Sequence, residues 1–170
     1  MKAALEALNR LVETGVIASY AIGGAIGASY YIDALQTEDI DAFVFLPPSP
    51  GGLLSLSSIY EALKRLGGEV EGEHIRFGES LLQILSDSNA LVAEAIRDAL
   101  SVNYDGVPTR LFRPEHLCAI ALQTGRTKDY FRVTMFLEQD SVDPSALKSV
   151  LKRYGLLDRL ARVPFGAKNE

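Results

Sequence analysis

The stretch YAIGGAIGASYYIDALQTEDIDAFVFL, residues 20–46, decides how this chain is read. It opens on a short apolar strand that Gly23-Gly24 interrupts, where the backbone can turn sharply and come close to a ligand. The amides at the start of the helix that follows point outward and favour a phosphate. Asp39-Ile40-Asp41 then opens the most strand-like run in the sequence, apolar and rich in β-branched and aromatic residues. Side chains alternate along a strand, so Asp39 and Asp41 share one face and Ile40 points into the core. Two adjacent carboxylates repel unless a cation sits between them. An oxygen-only donor set suits Mg²⁺, which binds through one or two carboxylates together with substrate phosphates. Singly, each sign has a plainer explanation, a common glycine turn or two solvated acids. The strand–turn–helix–strand order is what joins them.

Outward from this stretch, strands and helices alternate in the first half and helices dominate the end. Residues 3–15 have helical spacing, with Leu5, Leu8, Leu11 and Val12 on one stripe and Gly15 at the stop. AIGASYYIDAL, residues 25–35, reads as a second helix, and Pro47-Pro48 ends the Asp39 strand. A helix with an N-cap serine follows over SLSSIYEALKRLGG, residues 55–68. Strands joined by tight turns at Gly72 and Gly78 come next, then the helix NALVAEAIRDAL and short strands around a turn at Tyr104-Asp105-Gly106. Three helices close the chain, and Asp143-Pro144 is a sharp start for the last. The expected fold is α+β: a small mixed sheet packed on helices, with no long parallel βαβ series. One domain is expected over 1–170, with a mixed core over 1–112 and a helical part over 113–170.

Composition agrees with a single globular core. The chain has 170 residues, 48% hydrophobic and 23% charged, with a mean hydropathy of +0.10. No apolar run approaches the roughly 18 residues a membrane helix needs, and MKAALEALNRLVETG has no apolar signal core. With one cysteine, Cys118, an internal disulfide and a cysteine-based zinc site are excluded. A reducing cytoplasm is the expected compartment. The net charge of −5 is uneven: residues 1–125 hold 8 Lys and Arg against 16 Asp and Glu, and residues 126–170 hold 9 against 6. The basic tail reads first as solvated helix faces and second as a surface for a phosphate-rich partner.

The ordered set Gly23, Gly24, Asp39 and Asp41 resembles the nucleotidyltransferase superfamily, the fold of DNA polymerase β, and within it the short AbiEii-like proteins. Thr37 matches a threonine often found two residues before the acid pair. EHLCAIALQTGRTKDYFRV resembles the family's distal motif, a helix followed by Arg126 and then by Lys128-Asp129 starting another helix. The likeness runs over roughly residues 16–138. It implies transfer of a nucleoside monophosphate from a nucleoside triphosphate to an acceptor hydroxyl on a protein, an RNA or a small molecule. Asp39 and Asp41 would hold Mg²⁺ or Mn²⁺, Gly23 and Gly24 would lie at the phosphates, and Arg126, Lys128 and Asp129 would serve the triphosphate or the acceptor. Active relatives carry a third carboxylate on a later strand. The matching position here is Gln83, an amide that can offer a carbonyl oxygen but cannot act as a base. The arginine that many relatives place before the acid pair is absent from Ala34-Leu35-Gln36, and the interval from Gly24 to Asp39 is slightly long. The same residues therefore also fit a nucleotide- or partner-binding protein without turnover, and less well a toxin of a toxin–antitoxin pair.

Plainer readings stand beside the remaining candidates. Asp129 in a first helical turn complements the helix dipole, with Lys128 solvated. His116 is expected as a surface or partly buried histidine rather than a base, and His74 has no obvious partner. The two histidines lie far apart and make no ligand cluster between them. Cys118 is an apolar core thiol, and Tyr30-Tyr31 pack the core or stack on a base.

Overall fold

The computed structural model describes residues 1–33, 37, 39–47 and 56–164. In chain order its elements are α1 (Lys2–Glu13), β1 (Ser19–Ile22), α2 (Gly24–Ser29), β2 (Asp39–Phe45), α3 (Leu56–Arg65), β3 (Glu69–Glu71), β4 (His74–Phe77) and β5 (Ser80–Ser86). Then come α4 (Ala90–Arg97), β6 (Leu100–Tyr104), β7 (Val107–Leu111), α5 (Pro114–Thr124), α6 (Thr127–Glu138), α7 (Pro144–Arg153) and α8 (Leu157–Leu160). The strands form one mixed sheet in the order β3-β4-β5-β2-β1-β7-β6. The pairs β2–β5 and β1–β7 are parallel and the rest antiparallel. This is the α+β architecture that the alternation of elements predicts.

Two cores lie on the two faces of the sheet. On one, Ile40, Ala42 and Val44 of β2 and Leu82 and Ile84 of β5 pack under α1 and α3, against Leu5, Leu8, Leu11, Ile59 and Leu63. Each such leucine or isoleucine contributes about 1.5–3 kcal/mol on full burial. Val12, placed on the α1 stripe by spacing, is 37% exposed; Ala4 and Ala7 complete the buried stripe instead. On the other face, Phe43 and Phe45 meet the helical layer of α4 to α7, centred on Phe112, Leu122, Val133 and Phe136. Period two along β2 therefore gives one face to an aliphatic core. The other face carries acids at its start and aromatics at its end.

Local chemistry sets the element ends. Asn89 caps α4, its Oδ1 accepting from the Val92 amide at 3.1 Å. Asp143 caps α7 in the same way, with Pro144 at the first helical position. Gly125, in the left-handed region at φ 72°, ends α5 and lets α6 begin two residues later. The helix expected over 25–35 is shorter than its spacing suggests: α2 stops at Ser29, and residues 34–36 lie outside the described residues, as does the expected N-cap Ser55. The four-residue α8 has no counterpart in the sequence reading.

Candidate functional site

The site begins at the β1–α2 turn. The Gly23 amide donates to the Asp41 carbonyl at 2.9 Å, which locks the turn onto β2. A Cβ on Gly23 would lie 2.7 Å from the Phe43 ring and 2.8 Å from the Phe112 ring. Gly24 has φ +57°, and a Cβ there would lie 2.7 Å from Asp41 Cγ and closer still to its Oδ2. Both positions thus need glycine, the second for conformation as well as space. The glycine pair shapes a floor against which the Asp41 carboxylate is pressed.

Asp39 and Asp41 share a face of β2, Asp39 exposed and Asp41 half-buried. The Asp39 amide donates to Thr37 Oγ1 at 3.2 Å, bending the chain as it enters the strand. Burial pushes the Asp41 carboxyl above the usual carboxylate range, and the neighbouring Asp39 charge pushes the same way; Arg132, Arg126 and His74 act against them. The parallel register sets Asp41 beside Gln83 and Asp39 beside Leu81. His74 of β4 pairs with Gln83 on its other side, so Asp41, Gln83 and His74 form a row across three strands.

The opposite wall comes from α5 and α6. Asp129 is 1% exposed and accepts from the Arg126 amide at 3.2 Å, from Arg126 Nε at 2.7 Å and from Nη2 at 3.2 Å. The side-chain bonds to Asp129, with the Asp129 and Asp41 charges, outweigh burial and hold the Arg126 guanidinium more firmly charged than usual. Arg132, one turn further on, approaches Asp129 at 3.8 Å, and its buried Nε has no hydrogen-bond partner among the described residues. The sequence reading did not single out Arg132. Its signal was the i+3 step from Asp129, which puts both on one side of the helix.

These groups meet at one cavity of about 480 Å³. Asp39, Asp41 and Gln83 of the sheet line it together with Gly24 and Thr37, and Lys128, Asp129 and Arg132 of α6 with its N-cap Arg126 line the other side. Gly23 lies behind the lining, under Phe43 and Phe112. Phe43, Leu85, Phe112, Leu117 and Ile120 form an apolar floor, and Ser88, Asn89, Gln123 and Thr124 a neutral polar rim. Acids at one wall and cations at the other make a place for a ligand that carries anionic groups and a metal at once.

A second polar cluster lies between α4, α5 and α7. Ligand atoms of Glu94, Asp98 and His116 fall within 4.8 Å of one another, a spacing compatible with a cation. The Glu94 carboxylate is already satisfied, meeting His116 Nε2 at 3.0 Å and accepting from Arg153 Nη2 at 2.9 Å and from the Tyr154 hydroxyl at 2.6 Å. Burial alone would raise the Glu94 carboxyl; those bonds and the Arg153 charge outweigh it and hold the group below its usual range. A cation would have to displace Arg153, so the cluster acts as a clasp between three helices. His116, expected as a surface or partly buried residue, is 2% exposed because it packs inside this clasp. Cys118 is fully buried, and burial pushes its thiol up. Tyr31 donates to the Phe112 carbonyl at 3.1 Å and packs on Phe136, whereas Tyr30 is exposed.

Neither a family model nor a curated protein matches this chain. Among solved structures it is similar to an antigenic nucleotidyltransferase-like protein from Paracoccidioides brasiliensis, with TM-score 0.54 and 15% identity over 96% of this chain and 93% of that one. The fold is nucleotidyltransferase-like. A second similar structure is ANT(2'')-Ia in complex with adenylyl-2''-tobramycin, with TM-score 0.51 and 16% identity over 90% of this chain and 98% of that one. At these identities the likeness is one of fold. Among the described residues, no helix is long and apolar enough to cross a membrane.

Proposed function

We propose that this protein is a divalent-metal-dependent nucleotidyltransferase that moves a nucleoside monophosphate from a nucleoside triphosphate to an acceptor hydroxyl. The observation that carries the reading is one cavity, on a nucleotidyltransferase-like fold, with Asp39 and Asp41 on one wall and Arg126, Lys128 and Arg132 on the other. The donor set fits Mg²⁺ or Mn²⁺: two carboxylates on one strand face, one of them disfavoured as a bare charge, beside the Gln83 amide. Such an ion, when bound, supplies charge neutralisation and Lewis acidity at the phosphates. Arg126, Lys128 and Arg132 bind the triphosphate oxygens, and Asp129 positions Arg126 rather than touching the reacting atoms. Phe43 and Phe112 keep water from the floor. The acceptor oxygen forms its bond to the α-phosphorus as the bond to pyrophosphate breaks, and the hydroxyl proton leaves to solvent because Gln83 cannot accept it. The chain acts as one domain in the cytoplasm, residues 1–112 carrying the acids and 113–170 the cations. Its sequence pattern resembles the short AbiEii-like type.

A thermal-shift comparison of native protein and Asp41→Asn with each of four nucleoside triphosphates and Mg²⁺ or Mn²⁺ tests this. A ligand at about a hundred times its dissociation constant stabilises by roughly 2.7 kcal/mol. A metal-dependent shift in native protein that vanishes in Asp41→Asn is the expected result; no shift with any nucleotide refutes the reading. Gln83 supports a second reading, a nucleotide-binding protein that recruits a protein partner without turnover. It is distinguished by nucleotide binding with no transfer to protein, RNA or small-molecule hydroxyls.

A further inference from the structure

The polar rim of the cavity carries an amide pair whose orientation is determined. Asn89 caps α4, and the cap requires its Oδ1 to face the Val92 amide. Its Nδ2 is thereby turned outward and donates to Gln123 Oε1 at 3.0 Å. That bond takes one of the two lone pairs of Oε1 and turns the oxygen towards Asn89, so the Nε2 donors form the other end of the amide. The main chain beneath is held as well, since the Gln123 carbonyl accepts from Arg159 Nη1 at 2.7 Å. A glutamine with both amide atoms free can read adenine through an acceptor and a donor together. The Asn89 bond instead turns Gln123 to donate.

The place of this pair in the cavity follows from the register. Asp41 lies beside Gln83 and Phe43 beside Leu85, about 7 Å further along the strands. Asn89 opens α4 just past the end of β5. Phe43, Leu85, Ile120 and Gln123 line the same cavity as Asp41 and the α6 cations, so a nucleotide with its phosphates there would have its sugar and base over the apolar floor, within reach of Gln123. Guanine O6 and uracil O4 are acceptors there, while the adenine and cytosine amino groups are donors. We infer that Gln123, polarised by Asn89, makes this a site for keto-base nucleotides, GTP and UTP, in preference to ATP and CTP. This rests on the nucleotide reading above. Gln123 is the specificity-determining residue, and Asn89 is a positioning residue that acts through it.

Two conservative variants test the inference without emptying the site. Gln123→Glu keeps the shape and replaces the donor with an acceptor. Asn89→Asp preserves the helix cap, since a carboxylate also accepts from the Val92 amide. It also removes the donor to Gln123, so the glutamine turns its Nε2 towards position 89 and presents Oε1 to the cavity. Dissociation constants are measured for GTP, UTP, ATP and CTP with Mg²⁺ by calorimetry on native protein, both variants and Asp41→Asn. Native protein is expected to bind GTP and UTP about 10-fold tighter than ATP and CTP, the worth of one hydrogen bond gained against one donor left facing another. Both variants are expected to lose or reverse that order while still requiring Asp41. An unchanged order in both variants, or a native preference for ATP or CTP, overturns base selection and leaves the nucleotide reading standing. Native protein that binds none of the four refutes that reading and this inference together.

Discussion

Replacing Gly24 by alanine tests the tightest junction in the site. Two costs follow from the structure. Gly24 sits at φ +57°, where an L side chain costs about 1–2 kcal/mol. The added methyl would also lie 2.7 Å from Asp41 Cγ and 3.0 Å from its Cβ. A new rotamer of Asp41 cannot clear both contacts, so the turn or the strand must shift, at about 1–3 kcal/mol for overpacking. The sum is about 3 kcal/mol, or roughly a 6–12 °C fall in melting temperature for a chain of this size. Urea denaturation of Gly24→Ala, Asp41→Ala and the double variant separates the two terms. Asp41→Ala removes the Cγ and Oδ2 contacts and leaves only the 3.0 Å one to Cβ, so Gly24→Ala should cost about 1–3 kcal/mol less in that background. Gly72→Ala is the control. Gly72 has φ +62° and nothing within 4 Å, so it should show the backbone cost alone. Gly24→Ala should also lose metal-dependent nucleotide binding, which Gly72→Ala should keep. Equal costs in both Asp41 backgrounds would refute the claim that Asp41 is pressed against the glycine.

Two further outcomes follow from the acid wall. In metal-free protein the Asp41 carboxyl is raised by burial and by Asp39, so the stability it contributes is present in acid and lost as pH rises through its folded value. Asp41→Asn should therefore melt higher than native protein at pH 7 without metal, and the gap should close towards pH 4; a gap that widens in acid would show that Asp41 is not a strained charge. Gln83→Asp places a third carboxylate beside Asp41. It should raise single-turnover release of pyrophosphate at fixed Mg²⁺ by 10-fold or more if a missing base limits the rate. No change, with nucleotide binding intact, would favour the binding protein over the enzyme.

Much of this was local and could be read from residue order. Period two sets Asp39 and Asp41 on one face of β2 and Ile40 on the other without reference to any other element. Glycine pairs, Asn89, Asp143-Pro144 and Gly125 mark element ends because capping involves only residues three or four apart. The Leu5, Leu8 and Leu11 stripe is equally local, although Val12 shows that spacing alone does not say how wide the covered face is. The helix expected over 25–35 ends at Ser29, so helical spacing in the sequence overstates its length.

What the tertiary structure alone decided is which distant residues meet. Gln83 stands beside Asp41 because β5 joins β2 in parallel, a register set by the alternating aliphatic faces of both strands. Arg132 and Asp129 become one wall of the cavity only when α6 packs across that sheet. His116, expected as a surface or partly buried residue, is buried against Glu94 of α4, which Arg153 of α7 engages in turn. The orientation of the Gln123 amide depends on a cap 34 residues earlier in the chain. A sequence determines periodicity, caps and the kinds of groups available, since these depend on neighbours along the chain. The meeting of charges, amides and metal ligands depends on packing between elements, and that is decided only when both faces of the sheet are covered.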